Sequence, residues 1–318
     1  MLVHRPAVSL ETDRPTVAVR WEETSCPQCG RGEESLILEA PDPLPSSGTG
    51  LWFAVVRCNH CGLSYTNPRP SPESIGQFYP HDYPPHRVRR RDDARASRPI
   101  WSALFGRPCN ERRGVLPWQG SGRLLDFGCG SGGFLRRMAG LGWRVTGLDA
   151  ASTAARQAGD FPVHVGSLPH PELTPGSFDI VTMWHSLEHV HQPLAVLREA
   201  RRVLVPGGRI FVAVPNIESL PFYLFSRCWY GLDLPRHLTH FAPKTLRTML
   251  ETAGFRVESV RSIRHSDWLR SSARLAQREG RGGLVSRFLR TKPLSKLAAW
   301  SCYAMGLSDC ILATAQRP

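Results

Sequence analysis

Residues 124–133, LLDFGCGSGG, constrain the fold of this chain more than any other stretch. A run of apolar residues ends in an acid, Asp126, and glycines follow at Gly128, Gly130 and Gly133. Glycine permits dihedral angles and close backbone approaches that other residues avoid. The segment therefore predicts a buried β-strand, a tight elbow and a helix that begins directly after it.

From Arg123 onward, strand-like runs alternate with helical patterns, which predicts an α/β domain around a parallel sheet. The short lead-in from Gly306 and Asp309 to the terminal CILATAQR favours an antiparallel last strand. Residues 264–305 are expected to be an insertion that forms a helical pair over the active site. Their basic and apolar residues leave a second interpretation open, an amphipathic element at a membrane surface that recognises a lipid-linked acceptor.

Two C-x-x-C pairs, CPQCG and CNHCG, lie ahead of this domain. Four thiolates suit tetrahedral Zn²⁺, so Cys26, Cys29, Cys58 and Cys61 are predicted to hold a structural zinc with no open coordination position. Disulfides are the alternative. We expect a flexible tail over 1–20, a zinc ribbon over 21–66, a linker over 67–120 and the α/β domain over 121–318.

The glycines satisfy G-x-G-x-x-G, so a dinucleotide site must be considered. A carboxylate at Asp126 would repel a pyrophosphate at the helix N-terminus but would attract an ammonium group. S-adenosylmethionine carries an ammonium and a sulfonium and has no phosphate. Asp149, which closes the next predicted strand, suits the two ribose hydroxyls of either cofactor. Asp126 therefore favours S-adenosylmethionine.

The motifs LLDFGCGSGGFL, GLDA, PGSFDIV and RVLVPGGRIFVAVPN resemble the class I S-adenosylmethionine-dependent methyltransferases over about residues 123–260. The resemblance implies a Rossmann-like, seven-stranded, doubly wound sheet with the cofactor across the C-terminal strand ends. It also implies cofactor-binding residues, which are Asp126, Gly128, Gly130, Asp149, Ala150, Ser167, Leu168 and Trp184. Ser167 stands where many relatives have Asp, which weakens the expected contact with the adenine amino group.

The front half, from CPQCG to RPSPESIGQFYPHDY, is similar to zinc-ribbon methyltransferases of bacterial polysaccharide and natural-product pathways. This similarity implies a small-molecule acceptor, such as a sugar, a lipid-linked compound or a natural-product intermediate. The alternative is an rRNA or tRNA methyltransferase that uses the zinc module and its basic surface. Against it, the predicted fourth strand, FDIVTMWHS, ends in MWHS and no N-P-P-[YF] motif is present.

The segment WHSLEHVHQP offers candidate catalytic residues after strand four. His185, Glu188 and His189 have i, i+3, i+4 spacing, which predicts one face of a helical turn. Glu188 and His189 could cap the helix, His185 or His189 could act as a general base, or all three could bind a divalent metal. The segment resembles the E-x-x-E-H motif of ubiquinone-pathway O-methyltransferases. The inverted protease pattern is rejected because Pro193 follows too soon.

A second segment, YGLDLPRHLTHFAP, lies where this fold builds its acceptor pocket. Three residues there are candidates for contact with the methyl acceptor: Arg236, His237 and His240. For His237 and His240, considered as catalytic residues, a structural hydrogen-bonding role is the alternative. Tyr79 and Tyr83 are proposed to close over the cofactor from the linker side.

The net charge is +13 and the pI is about 9.9, a balance that is compatible with anionic partners. The arginines are dispersed, and a nucleic-acid partner is not expected. No stretch approaches the roughly 20 apolar residues that span a bilayer, so a cytoplasmic protein is expected, with peripheral membrane contact and oligomeric state left open.

Overall fold

The N-terminal part of the chain forms short antiparallel strands around the four paired cysteines. The computed structural model describes residues 18–44, 50–79 and 116–318, without 117, 158 and 160. The strands here are β1 (Trp21–Glu22), β2 (Glu34–Pro41), β3 (Trp52–Cys58), β4 (Ser64–Thr66) and β5 (Arg69–Pro70). Strands β2, β3 and β4 pair antiparallel to one another, and β1 pairs with β5.

Seven of the strands after residue 120 form one large sheet. Its strands are β6 (Arg123–Phe127), β7 (Arg144–Asp149), β8 (Val163–Val165), β9 (Phe178–Trp184), β10 (Leu204–Pro215), β12 (Arg256–Ile263) and β13 (Cys310–Gln316); β11 is Thr239–His240. The spatial order is β12-β13-β10-β9-β6-β7-β8, and β13 runs antiparallel to both of its neighbours. The predicted doubly wound sheet and its antiparallel last strand are confirmed.

Helices connect the strands. They are α1 (Gly133–Ala139), α2 (Ser152–Gln157), α3 (Pro193–Val203), α4 (Leu220–Phe225), α5 (Pro243–Thr252), α6 (Ser266–Arg278), α7 (Leu284–Leu289) and α8 (Lys292–Ala304). The expected helical pair in the insertion is therefore three helices, because glycines at 280, 282 and 283 interrupt the helical pattern between α6 and α7. In the described part of the chain, no helix is both long and apolar enough to cross a bilayer.

The core lies on both faces of the large sheet. Central strands read as continuous apolar runs, as expected for parallel strands covered on both sides. Leu125, Val181 and Val212 are completely buried on β6, β9 and β10. Helix α3 adds Val196, Leu197, Ala200 and Val203, whose spacing places them on one helical face. This core fixes the C-terminal strand ends, where the candidate site lies.

The two parts of the chain share a sheet. Strand β11 pairs antiparallel with β4, so the order of the smaller sheet is β11-β4-β3-β2. The Thr66 backbone N–H also donates to the Leu238 carbonyl, at 3.0 Å. The predicted domain boundaries stay predictions, but the cysteine-bearing strands and the segment around residues 238–240 are hydrogen-bonded together.

Candidate active site

The glycine-rich elbow between β6 and α1 presents bare backbone at the strand ends. Gly128 has a φ of +77°, and a Cβ added there would lie 2.5 Å from the Ser186 Cβ. The Ser186 hydroxyl donates to the Phe127 carbonyl, at 2.8 Å, which holds the end of β9 against the elbow. Only glycine fits this position, because a side chain would be strained in its backbone and would also push β9 away.

Asp126 lies in β6 directly beneath the elbow, one residue before the strand ends. Its carboxylate is 2% exposed and accepts a hydrogen bond of 2.6 Å from the Thr182 hydroxyl. Burial, opposed by the Thr182 hydrogen bond and assisted by the nearby Asp149 carboxylate, raises the pKa of Asp126 to about 7. A cation at the elbow would favour the ionised form of Asp126.

Asp149, at the end of β7, joins the elbow to the following loop. Its two carboxylate oxygens accept hydrogen bonds from the backbone N–H groups of Gly130 and Ala151, each at 2.8 Å. A carboxylate has about four acceptor positions, so the group can also accept hydroxyl donors. The adjacent Ala150 is exposed, so the site opens beside it.

The remaining predicted cofactor residues border the same edge of the sheet. Ser167 and Leu168 lie in the loop after β8, where Ser167 is exposed and Leu168 is buried. A hydrogen bond of 2.9 Å from the Gly166 N–H to the Asp149 carbonyl holds this loop beside β7. Trp184 ends β9. Its ring packs edge-on against Phe134 of α1, with centroids 5.6 Å apart.

The indole N–H of Trp184 fits a ligand at this edge. It is buried and has no hydrogen-bond partner among the described residues. A carboxylate or hydroxyl brought to the elbow would satisfy it, because buried donors are normally paired. Together with two carboxylates and bare backbone, the edge suits a cationic amino-acid nucleoside.

His185 is the residue directly after β9, at the same C-terminal strand edge. Its φ is +53°, a left-handed conformation that non-glycine residues rarely adopt outside functional sites. Its Nδ1 lies 3.4 Å from a Glu188 carboxylate oxygen without hydrogen-bond alignment, and its Nε2 lies 3.8 Å from the Cys310 Sγ. Trp268 of α6 packs against the ring, with centroids 5.1 Å apart.

The neighbours of His185 shift the pKa of its imidazole. Burial alone would lower the pKa of His185, but the Cys310 sulfur and the Glu188 carboxylate outweigh it and raise that pKa to about 10. The sequence pattern did not identify Cys310, His265 and Trp268 as neighbours of His185, because they lie on β13 and at the start of the helical insertion.

Glu188 is completely buried at the centre of a histidine cluster, which we define as Glu188, His189 and His237. Neither of its carboxylate oxygens has a hydrogen-bond partner among the described residues. Burial would raise the pKa of Glu188, but the adjacent His185 outweighs it and holds that pKa below its usual value.

Backbone carbonyls orient both histidines of the cluster. His189 Nδ1 lies 3.0 Å from the Arg236 carbonyl, and His237 Nδ1 lies 2.9 Å from the Gly231 carbonyl. Each Nδ1 therefore carries a proton, because a carbonyl can only accept, and in neutral His189 the lone pair is on Nε2. The Tyr79 hydroxyl also lies 2.9 Å from His189 Nδ1, so Tyr79 contacts the histidine cluster; Tyr83 is outside the described residues.

The histidine cluster can hold a divalent cation. One ligand atom from each of its three residues lies within 4.8 Å of the others. Two imidazoles and a carboxylate suit zinc or another first-row divalent metal. The metal alternative considered from sequence had His185 as its third ligand; in the structure His237 lies beside Glu188 and His189, whereas His185 groups with His265 and Cys310. The turn over Leu187–His189 is 3₁₀ rather than α-helical, which separates the two histidines.

His240 and Arg236 have structural surroundings. His240 lies on β11, 97% buried, with Nε2 3.1 Å from the Thr66 hydroxyl, and burial lowers its pKa to about 3. This position in the shared sheet argues against a catalytic role for His240. Arg236 is fully buried and donates to Asp42 and Asp233.

The four paired cysteines form a separate cluster. Their sulfurs lie within 4.8 Å of one another, with Cys26–Cys61 at 3.5 Å and Cys29–Cys58 at 3.6 Å. A zinc–sulfur bond of about 2.3 Å places the sulfurs of a tetrahedral site roughly 3.8 Å apart, so the spacing fits zinc. Burial raises the pKa of Cys61 to about 11, so four thiolates need a cation to coexist.

A family model described as "Methyltransferase domain" matches residues 88–260. A ubiquinone biosynthesis O-methyltransferase of Xanthomonas euvesicatoria is 34% identical over 171 residues, which cover 49% of this chain and 71% of that protein. The protein of that name from Xanthomonas campestris (strain B100) is 34% identical over 173 residues, with the same coverage. A solved S-adenosylmethionine-dependent methyltransferase of Mesorhizobium loti is 22% identical, with a TM-score of 0.46, and the match covers 64% of this chain and 95% of that one.

Proposed function

The chain belongs to the methyltransferase-domain family and is an S-adenosylmethionine-dependent methyltransferase, and we propose that it methylates a hydroxyl group of a small molecule. The relatives support this acceptor class, because their name describes O-methyltransferases in the biosynthesis of a small molecule, ubiquinone. They do not support the RNA alternative.

The elbow and its two acids bind the cofactor in this proposal. Bound there, S-adenosylmethionine supplies an electrophilic methyl group on its sulfonium. Asp126 faces the ammonium group, Asp149 accepts the ribose hydroxyls, and Trp184 donates to the carboxylate. Gly128, Gly130, Ala150, Ser167 and Leu168 line the cleft with backbone and small or apolar contacts.

The observation that carries the proposed reaction is the placement of His185 beside Glu188, at the end of the strand that borders the cofactor edge. Methyl transfer to a hydroxyl requires that the hydroxyl loses its proton. We assign that proton to the neutral form of His185, which is the minority form near pH 7 because its pKa is raised to about 10; the Glu188 carboxylate 3.4 Å from Nδ1 stabilises the imidazolium that forms. His189 and His237 flank Glu188 and position it.

Zinc on Cys26, Cys29, Cys58 and Cys61 is structural in this proposal. All four ligand positions of a tetrahedral ion are occupied by thiolates, so the ion offers no position to a substrate. Its contribution is to hold β2, β3 and β4, on which the segment from Leu238 to His240 is built.

Two variants separate cofactor binding from chemistry. Asp149→Ala should abolish S-adenosylhomocysteine binding by calorimetry while zinc content stays unchanged. His185→Gln should retain that binding but lose about a hundredfold or more in turnover, the usual contribution of a general base. The assay follows labelled methyl groups into a panel of phenols, sugar nucleotides and bulk RNA. Labelled RNA with unlabelled small molecules would contradict the acceptor class, and full activity of His185→Gln would contradict the base.

A further inference from the structure

Helix α8 turns its small side chains toward the protein and its large ones toward solvent. The residues it buries are Ser295, Ala299 and Cys302. The large apolar residues it exposes are Leu294 (40%), Leu297 (65%) and Trp300 (55%). A helix on a water-facing surface has the opposite pattern, with its large apolar residues against the core. The outer face of α8 is therefore suited to an apolar environment.

Helix α7, directly before α8, extends this feature. Three of its six residues are large, apolar and exposed: Leu284 (70%), Val285 (51%) and Phe288 (59%). Single exposed apolar residues are ordinary, but clusters of this kind mark surfaces that bind another apolar phase. We call the exposed apolar residues of α7 and α8 the α7–α8 face.

The charge around the α7–α8 face has one sign. Residues 280–308 contain no Asp or Glu, and their five cationic residues are Arg281, Arg287, Arg290, Lys292 and Lys296. None of the five forms an ion pair with an acid in the described parts of the chain. The face is therefore apolar with an uncompensated cationic border.

A basic cleft lies beside the face. It has a volume of about 280 Å³ and is lined by Arg274, Gln277, Arg278 and Arg290 of α6 and the end of α7. Arg290 donates to the Gln277 side-chain carbonyl, so its guanidinium is held at the cleft. Guanidinium groups in such a cleft suit phosphate oxygens, which they bind with two donors at once.

Aromatic side chains stand at the edge of α8. The guanidinium of Arg264 lies 3.9 Å from the Trp300 ring centroid and 5.4 Å from that of Tyr303, and both rings are more than one-third exposed. Trp, Tyr and Arg together are typical of the boundary between hydrocarbon and headgroups in a bilayer.

The charge of each possible binding partner indicates which one fits the α7–α8 face. A second copy would bring five cations against five, and residues 80–115, which lie outside the described residues, contain nine arginines against four acids. Both would meet like charge, whereas an anionic lipid surface offers hydrocarbon for the apolar residues and phosphates for the cations. We propose that the α7–α8 face docks on an anionic phospholipid membrane, with a lipid phosphate in the basic cleft.

The first test measures co-sedimentation of the full chain with vesicles of phosphatidylcholine, with and without phosphatidylglycerol. Binding should require phosphatidylglycerol and weaken with salt. Leu297→Ser should reduce binding about tenfold, as expected for one large side chain lost from the interface. Leu36→Ser is the matched control, because Leu36 is 62% exposed on β2, and it should leave binding unchanged. Equal loss in both variants, or equal binding to neutral vesicles, would overturn the proposal.

The second test addresses charge and self-association. Lys296→Glu should reduce vesicle binding about fivefold or more, since each basic residue near an anionic surface contributes about 1 kcal/mol. Lys244→Glu on α5 is the matched control and should bind as the parent does. A dimer by light scattering that Leu297→Ser dissociates, without vesicle binding by the parent, would assign the face to a second copy instead. Neither test uses an acceptor or cofactor, so these outcomes are independent of the proposed function.

Discussion

Arg236 and Asp42 form a bidentate ion pair that joins the cysteine-bearing strands to the histidine cluster. The guanidinium nitrogens lie 2.8 and 3.2 Å from the two Asp42 oxygens, and the two side chains are 0% and 4% exposed. Arg236 also donates to the Phe78 carbonyl, and its own carbonyl faces His189 Nδ1. A change at Asp42 should therefore affect both the stability of the protein and the position of His189.

Asp42→Ala tests that relationship. The substitution leaves a buried guanidinium without one of its partners, so the free energy of unfolding should fall by about 3 kcal/mol or more. Urea denaturation measures the loss. Asp267→Ala is the control, because Asp267 is 77% exposed in its pair with Arg270 and should contribute less than about 1 kcal/mol. Similar losses in both variants would show that the buried pair is not important for stability.

The sheet and the elbow could be predicted from sequence because both depend on local patterns. Continuous apolar runs predict buried parallel strands, and the acid followed by glycines predicts the turn into α1. Asp126 and Asp149 lie at one edge for the same reason, since adjacent parallel strands end together.

The histidine cluster could not be predicted, because it depends on contacts between distant segments. His237 follows Glu188 by 49 positions, and a hydrogen bond from the Leu238 N–H to the Glu188 carbonyl, at 2.8 Å, holds the two segments together. The i, i+3, i+4 rule that grouped His185 with His189 assumes an α-helix, but the turn is 3₁₀ and His185 has a positive φ. Thr182 was missed as well, although a single polar residue within the otherwise apolar IVTMW was a usable signal.

Cys58→Ser tests the structural metal. Replacing one of four thiolates should remove zinc, which elemental analysis of the purified protein would show. Because β3 and β4 hold Leu238 and Thr239 through the shared sheet, methyl transfer should also fall by about tenfold or more, whereas S-adenosylhomocysteine affinity should change little. Cys228→Ser, a buried cysteine outside the cluster, should retain zinc. Full zinc content in Cys58→Ser would contradict the predicted ligand set.

The pKa of Asp126 predicts how cofactor affinity depends on pH. Burial raises this pKa to about 7, with a contribution from Asp149, and an ammonium group binds the ionised form. Affinity is therefore present above that pKa and is lost as pH falls below it: from about pH 7.5 to about pH 5.5, S-adenosylhomocysteine affinity should drop roughly tenfold or more. Calorimetry at several pH values measures this. Asp126→Asn should bind more weakly and without that pH dependence; an unchanged profile would place the ammonium elsewhere.

Metal content distinguishes the two uses of the histidine cluster. His189 is neutral near pH 7, because burial and the adjacent His237 together lower its pKa to about 4, so its Nε2 can bind a metal. If the cluster holds zinc, the protein should contain two zinc ions per chain, and Glu188→Gln should contain one, since a neutral amide is a poor ligand. Glu218→Gln is the matched control, because Glu218 belongs to none of the candidate metal-binding groups among the described residues. One zinc in the parent protein and in all variants would mean that Glu188 serves only as the buried counter-charge of His185. In that case Glu188→Gln should still lower turnover, because the His185 imidazolium would lose the carboxylate that stabilises it.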